Sequence, residues 1–149
     1  MNIFTLTELV KRLNMVYYLI YCLTIVVTAF GFFLDFHNFI AASSADINFI
    51  AIVYIILSIV FMGFALLWFE FMRRKIKIIR NEKQKMKLYG SAAVIRLYLI
   101  GLALVGGIVI FYLTKNINTL YCIAVAAIAL IYCKPGENKV SKDLQIGED

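Results

Sequence analysis

Four stretches of this chain contain no charged side chain. Each is about 18 residues or longer, the length that an α-helix needs to cross ~30 Å of hydrocarbon. These stretches are Leu13–Leu34, Ile47–Phe69, Leu97–Thr114 and Asn116–Cys133. None of them alternates polar and apolar residues, which is the pattern of a transmembrane β-strand. Because backbone polar groups in lipid must be satisfied within each segment, the four stretches predict membrane-spanning helices.

The composition also favours an apolar surrounding. Hydrophobic residues make up 63% of the chain, whereas a soluble domain has about 45–50% apolar residues. Once four spans are subtracted, too little chain remains for a second, water-soluble domain. We therefore predict an all-α fold, a single transmembrane domain over residues 1–149 that forms an integral membrane four-helix bundle of antiparallel up-down-up-down hairpins. The predicted spans are about residues 13–36, 47–72, 89–114 and 117–133, with a basic cytoplasmic segment at 73–87 and a cytoplasmic tail at 134–149.

The net charge of +6 is distributed as membrane topology requires. Thirteen of the fifteen lysines and arginines lie before the first span, between the second and third, or after the fourth. Basic residues concentrate in cytoplasmic loops, so we predict that both termini are cytoplasmic and that the membrane is the inner membrane of a bacterium. Eight cations of the basic segment are predicted to contact the anionic headgroups of the bilayer: Arg73, Arg74, Lys75, Lys77, Arg80, Lys83, Lys85 and Lys87. Since topology accounts for these charges, no nucleic-acid partner is predicted.

Polar and small residues of the first span recur at alternating spacings of three and four, which places them on one face of a helix. This polar seam consists of Asn14, Tyr17, Tyr21, Thr24, Thr28, Gly31 and Asp35. One interpretation is a polar-lined path for a solute. The other, which we favour, is a packing face, because hydroxyl and glycine residues commonly join transmembrane helices.

Two charged residues lie inside the predicted spans. Glu70 lies about one turn inside the cytoplasmic boundary of the second span, and Arg96 lies about two turns inside the third. A charge at membrane depth costs about 2.5–3.5 kcal/mol or more, so it requires a partner or water. Antiparallel neighbours would bring both residues to similar depth, which predicts an ion pair between them. The alternative is that Arg96 extends to the headgroups while Glu70 meets the basic segment.

The chain has no motif of enzymatic chemistry. It contains no glycine-rich phosphate loop, no nucleophile elbow and no His-Glu-x-x-His. We therefore predict that it is not an enzyme and that it has no catalytic residue and no cofactor. His37 is the only histidine, and closed metal sites take about four ligands, so no metal site is predicted. The cysteines, Cys22, Cys122 and Cys133, lack Cys-x-x-Cys spacing and are interpreted as packing residues.

Three hypotheses of function follow. The first is a small membrane protein that acts through helix–helix contacts, as an accessory, assembly, regulatory or immunity-type partner of a membrane complex; its partner would be another membrane protein or a second copy. The second is an oligomeric small-solute or ion transporter or channel that uses the polar seam with Glu70 and Arg96. The third, with less support, is a membrane-surface platform in which the basic segment docks acidic lipid or a cytoplasmic partner.

Overall fold

The structure is a computed structural model that describes residues 3–37 and 45–144, with side chains from 6–37 and 49–144. It contains five helices in this part of the chain and no strand: α1 (Ile3–Phe36), α2 (Ala45–Ile78), α3 (Glu82–Thr114), α4 (Ile117–Tyr132) and α5 (Glu137–Leu144). This confirms the all-α prediction. Most of the predicted loop between the first two spans, residues 38–44, and the end of the predicted tail, residues 145–149, lie outside the described residues.

Three of these helices are long and apolar enough to cross a membrane. They are α1, α2 and α3, which have 34, 34 and 33 residues. The fourth predicted span corresponds to α4, which has only 16 residues and qualifies only together with α5, from which it is bent by 75°. The described residues therefore contain three candidate spans, or up to four if the bent pair counts as one.

The basic segment is mostly helical and does not separate the second and third spans as a long loop. α2 continues through Ile78, and α3 begins at Glu82 after a short turn. Asn81 caps α3, because its side chain accepts a hydrogen bond of 3.2 Å from the backbone N–H of Lys83. The basic segment thus belongs to the ends of two helices, which holds its cations at defined positions.

α3 is the central helix. α1, α2 and α4 each contact it, whereas no Cα atom of α1 lies within 8 Å of α2 or α4 among the described residues. α3 is also more buried than α1: 44% of the apolar stretch of α3 is buried inside the molecule, against 11% of that of α1. Most of the surface of α1 therefore remains available to lipid or to another protein.

Contacts along α1 and α3 advance together. Leu9 lies against Gly90, Ile20 against Gly101, and the ring of Tyr112 against Gly31. The beginning of α1 therefore lies beside the beginning of α3, and their ends lie beside each other. Small residues at these points permit close approach of the two backbones.

Contacts between α2 and α3 advance in opposite directions. Early in α2, the Tyr54 hydroxyl donates a hydrogen bond to the carbonyl oxygen of Ala103, whereas later in α2 the ring of Phe69 lies 5.7 Å from that of Tyr89. The end of α2 therefore lies beside the beginning of α3.

Two buried clusters form the interior. The first joins the beginnings of α1 and α3, the end of α2 and one face of α5: Val10, Leu13, Phe69, Ile76, Tyr89, Ala92, Ala93, Val140 and Leu144. The second lies further along α1 and α3 and includes α4: Tyr17, Ile20, Met62, Leu97, Ile100, Leu104, Ala126, Leu130 and Cys133. The short C-terminal helix is therefore part of the core.

Candidate functional site

One carboxylate joins three helices where α5 meets the rest of the molecule. Oδ1 of Asp143 accepts a hydrogen bond of 2.8 Å from Nη1 of Arg73, and its Oδ2 accepts one of 2.9 Å from the Tyr89 hydroxyl. Asp143 is only 9% exposed. We call Arg73, Tyr89 and Asp143 the Asp143 cluster. Because hydrogen bonds to charged groups are worth about 1.5–3 kcal/mol each, the Asp143 cluster fixes α5 against α2 and α3.

α5 is held by apolar and polar contacts together. Val140 and Leu144, four residues apart, are buried on the same face as Asp143. The Nζ atom of Lys85 donates a hydrogen bond of 3.1 Å to the carbonyl oxygen of Leu144, at the end of α5. The sequence interpretation missed this docking, although the i, i+4 spacing of Val140 and Leu144 beside an acidic residue was the signal that could have found it.

The structure does not pair Glu70 with Arg96. Glu70 instead contacts Arg73, with Oε2 at 2.9 Å from Nη2, and Arg74, with Oε1 at 3.5 Å from Nε. The physical reason is proximity along the chain: residues three and four positions apart meet on one face of a helix, so Glu70 finds its partners on α2 itself. The alternative in which Glu70 meets the basic segment describes these contacts.

Arg96 has an aromatic contact but no carboxylate. Its guanidinium carbon lies 3.6 Å from the centroid of the Phe69 ring, a cation–π geometry. Its Nε atom is enclosed and has no hydrogen-bond acceptor among the described residues. Glu70 and Asp143 are both engaged by Arg73 instead. Arg96 is therefore a cation without an anionic partner in the described chain.

The polar seam of α1 contacts neighbouring helices and its own backbone. The hydroxyls of Thr24 and Thr28 donate hydrogen bonds of 2.8 Å to carbonyl oxygens one turn earlier, those of Ile20 and Thr24. Tyr17 is buried, and its ring lies 5.2 Å from that of Tyr21. The two threonine hydroxyls are therefore satisfied within α1.

The two ends of the polar seam differ in how their polar groups are satisfied. Near the end of α1, the Tyr112 hydroxyl donates a hydrogen bond of 3.2 Å to the Thr28 carbonyl, and Asp35 forms an ion pair with Lys115. Lys115 has a left-handed backbone conformation with φ of 51° and ends α3. Near the beginning of α1, Oδ1 of Asn14 is enclosed and has no donor among the described residues. Polar contacts at Thr28 and Asp35 thus link α1 to Tyr112 and Lys115 at the end of α3, whereas an unsatisfied polar atom lies at Asn14.

A shallow groove of about 290 Å³ runs beside the polar seam, between α1, α3 and α4. Tyr21, Thr24 and Thr28 line it together with apolar residues of the other two helices. Its surface is mainly apolar and open to the side. This geometry suits a lipid chain or a neighbouring helix better than a water-filled path.

The eight cations of the basic segment divide into two groups. Four have partners within the chain: Arg73, Arg74, Lys75, whose Nζ lies 4.5 Å from the Phe71 ring centroid, and Lys85. The other four are exposed and have no ion-pair partner in the described ranges: Lys77, Arg80, Lys83 and Lys87. The second group is free to interact with headgroups.

Among residues 3–37 and 45–144, no three His, Cys, Asp or Glu side chains lie close enough to hold a metal ion. Cys22, Cys122 and Cys133 are free thiols at separate positions, exposed, half-buried and buried respectively. The chain matches no protein-family model, no curated protein and no solved structure.

Proposed function

We propose that this chain is a polytopic protein of the bacterial inner membrane, with its helices running up, down, up and down and both termini in the cytoplasm. The excess of basic residues at the linked ends of α2 and α3 supports this orientation. The contact registers support the arrangement, since α1 runs beside α3 in the same direction and α2 runs against it. α4 with α5 would complete the bundle.

We further propose that the protein acts through lateral helix contacts, as an accessory, assembly or regulatory partner of a membrane complex; an immunity-type role belongs to the same class. The observation that carries this proposal is the unpaired Arg96. An arginine at membrane depth costs about 2.5–3.5 kcal/mol or more. Its contact with Phe69 offsets only about 0.5–2 kcal/mol of this cost. A carboxylate from a second chain would supply the missing partner.

The exposed surface of α1 supports the same proposal. α1 contacts the rest of the molecule chiefly through α3 and leaves an apolar groove beside it. Transmembrane association depends on close packing and interhelical polar contacts rather than on burial from water. A groove for a neighbouring helix and an unpaired cation are the two features that such association uses.

The proposal is tested by co-purification from native membranes with the full chain as bait. Arg96→Gln removes the charge, and a membrane partner recovered with the unmodified chain should be lost or reduced at least tenfold. Arg96→Lys retains a cation and should preserve part of the recovery. Quantitative mass spectrometry of the eluates measures all variants side by side.

Lys134→Gln is the matched control, because Lys134 is an exposed cation on the same side of the molecule and takes part in no described ion pair. Equal recovery of the partner with Arg96→Gln and Lys134→Gln would contradict the proposal. A chain that purifies alone, with neither a partner nor a second copy, would do the same.

The transport alternative receives less support from the geometry. The hydroxyls of Thr24 and Thr28 donate hydrogen bonds to backbone carbonyl oxygens, and Asp35 forms an ion pair with Lys115. Of the two charged residues that the alternative adds to the path, Glu70 is engaged by Arg73 and Arg74, and Arg96 lies against the Phe69 ring. A solute path would have to be built between copies of the chain.

A further inference from the structure

A cleft of about 310 Å³ opens between the beginning of α1 and the beginning of α3. Its lining residues are Glu8, Leu9, Arg12, Lys83, Met86 and Lys87. The cleft lies at the end of the molecule where the basic residues concentrate, outside the Asp143 cluster and away from Arg96. Neither the lateral contacts proposed above nor the Asp143 cluster uses it.

The rim of this cleft is cationic. Arg12 of α1 lies across from Lys83 and Lys87, which are one turn apart on α3. Glu8 is the one acid in the lining, and its contact with Arg12 is a long 3.8 Å between side chains that are both more than half exposed. Exposed pairs of this kind contribute little. Three cations against one weakly paired carboxylate leave a net positive charge.

The base of the cleft is apolar and fixed in position. Leu9 and Met86 both pack against the first buried cluster. A Cβ atom at Gly90 would lie only 2.7 Å from Cδ1 of Leu9, so the Leu9 side chain lies directly against the α3 backbone at this point. This apolar contact positions Arg12 across from Lys83 and Lys87, and it does not depend on the cationic side chains.

We infer that this cleft binds the phosphate of one anionic phospholipid of the cytoplasmic leaflet. Charge complementarity selects the phosphate, since ammonium and guanidinium groups are the usual ligands of phosphate oxygens. The apolar base selects a lipid over a free anion, because Leu9 and Met86 would contact the glycerol backbone and the start of an acyl chain. The position of the cleft at the ends of two candidate spans places it at headgroup depth.

The test is a titration of the delipidated, detergent-solubilised full chain with phosphatidylglycerol, followed by native mass spectrometry. The unmodified chain should retain one phosphatidylglycerol at concentrations where phosphatidylcholine does not bind. The double variant Lys83→Gln/Lys87→Gln should bind phosphatidylglycerol about 25-fold more weakly. This corresponds to about fivefold for each cation near a membrane surface. Arg12→Gln should weaken binding about fivefold.

The matched control is Lys134→Gln/Lys142→Gln, which removes two exposed lysines from the same end of the molecule without touching the cleft. It should change the affinity less than twofold. The inference is overturned if this control, or the loss of Lys77 and Arg80, weakens binding as much as the loss of the two cleft lysines. That result would mean diffuse surface attraction.

The source of the phosphate is decided by competition. Inorganic phosphate and glycerol phosphate carry the same charged group without an acyl chain. Neither should displace phosphatidylglycerol at concentrations a hundredfold above the lipid. Displacement at equal concentrations would overturn the assignment to a lipid, as would equal binding of phosphatidylcholine and phosphatidylglycerol.

Discussion

At the scale of single residues, the choice of ionic partners decides how α5 is joined to α2 and α3. Arg73 holds both Glu70 and Asp143, so one guanidinium links a neighbour on its own helix to the C-terminal helix. Asp143 also accepts a hydrogen bond from Tyr89. Removing the charge of Asp143 would weaken contacts to two helices at once, whereas both ion-pair partners of Glu70 in the described residues, Arg73 and Arg74, lie on α2 itself.

Asp143→Asn is therefore expected to loosen α5. The asparagine amide is uncharged and has one acceptor oxygen in place of two. It can accept a hydrogen bond from either Arg73 or Tyr89, but it lacks the charge that attracts the Arg73 guanidinium. We expect α5 docking to lose about 1.5–3 kcal/mol, the range for a hydrogen bond to a charged group. Hydrogen exchange of residues 137–144 in detergent micelles measures this loss directly.

Glu137→Gln is the control for this prediction, because it makes the same chemical change in the same helix at an exposed position with no ion pair in the described residues. Only the loss of a favourable charge in the first turn, about 0.3–1 kcal/mol, is expected there. Similar exchange in the two variants would show that the Asp143 cluster does not hold α5.

At the scale of helices, the contact between α1 and α3 depends on positions without a side chain. At Gly101, a Cβ atom would lie 2.9 Å from Cγ2 of Ile20 and 3.1 Å from its Cδ1. Ile20 is buried and β-branched, so it has few other rotamers. The interface therefore has little room to adjust at this point.

Gly101→Ala is expected to destabilise the protein. Overpacking costs about 1–3 kcal/mol, which exceeds the gain of about 0.5–1 kcal/mol from replacing glycine in a helix. The apparent unfolding temperature in detergent should fall. Adding Ile20→Val to Gly101→Ala removes Cδ1 but keeps Cγ2, the nearest atom, so it should recover only a small part of the loss.

Gly63→Ala provides the contrast, because nothing lies within 4 Å of a Cβ atom at that exposed position of α2. This variant should unfold at the same or a higher temperature than the unmodified chain. If Gly101→Ala behaves like Gly63→Ala, the close contact between α1 and α3 does not contribute to stability.

At the scale of the whole molecule, α3 organises the fold and the charges define its two ends. α1, α2 and α4 each contact α3, and α5 covers the end at which α1 and α3 begin. Exposed cations concentrate at this same end, whereas the opposite end carries the pair of Asp35 and Lys115. This asymmetry carries the proposed cytoplasmic location of both termini.

The proposed orientation predicts which positions a membrane-impermeant maleimide reaches in sealed cells. In a background with Cys22, Cys122 and Cys133 replaced by alanine, Asn118→Cys should be labelled from outside and Gln84→Cys should not. Both positions are exposed, and both substitutions replace a neutral residue. Gln84→Cys should react once the membrane is permeabilised.

The opposite labelling pattern would reverse the orientation of the protein. Labelling of both positions in cells whose membranes are shown to be intact would contradict a spanning α3, since Gln84 and Asn118 lie on either side of it. A cytoplasmic protein with a reactive cysteine serves as the internal test of membrane integrity.

The helices themselves were predictable from the sequence, and several partners within the site were not. Runs of uncharged residues located α1 to α4, because length and hydropathy are local properties of a chain. Equal depth in the membrane suggested a pair of Glu70 with Arg96, but depth does not specify which sides of two helices face each other. Arg73 and Arg74 were closer competitors for Glu70.

From the sequence alone an all-helical chain with four spans could be predicted; the structure is all-helical in its described residues and has three helices fit to span a membrane, or up to four if α4 and α5 count as one. The central position of α3, the docking of α5 through Asp143 and the contact of Arg96 with Phe69 were visible only in the folded molecule. These features depend on the rotation and register of helices that are far apart in the chain. Hydropathy is averaged along one segment and carries no information about either quantity.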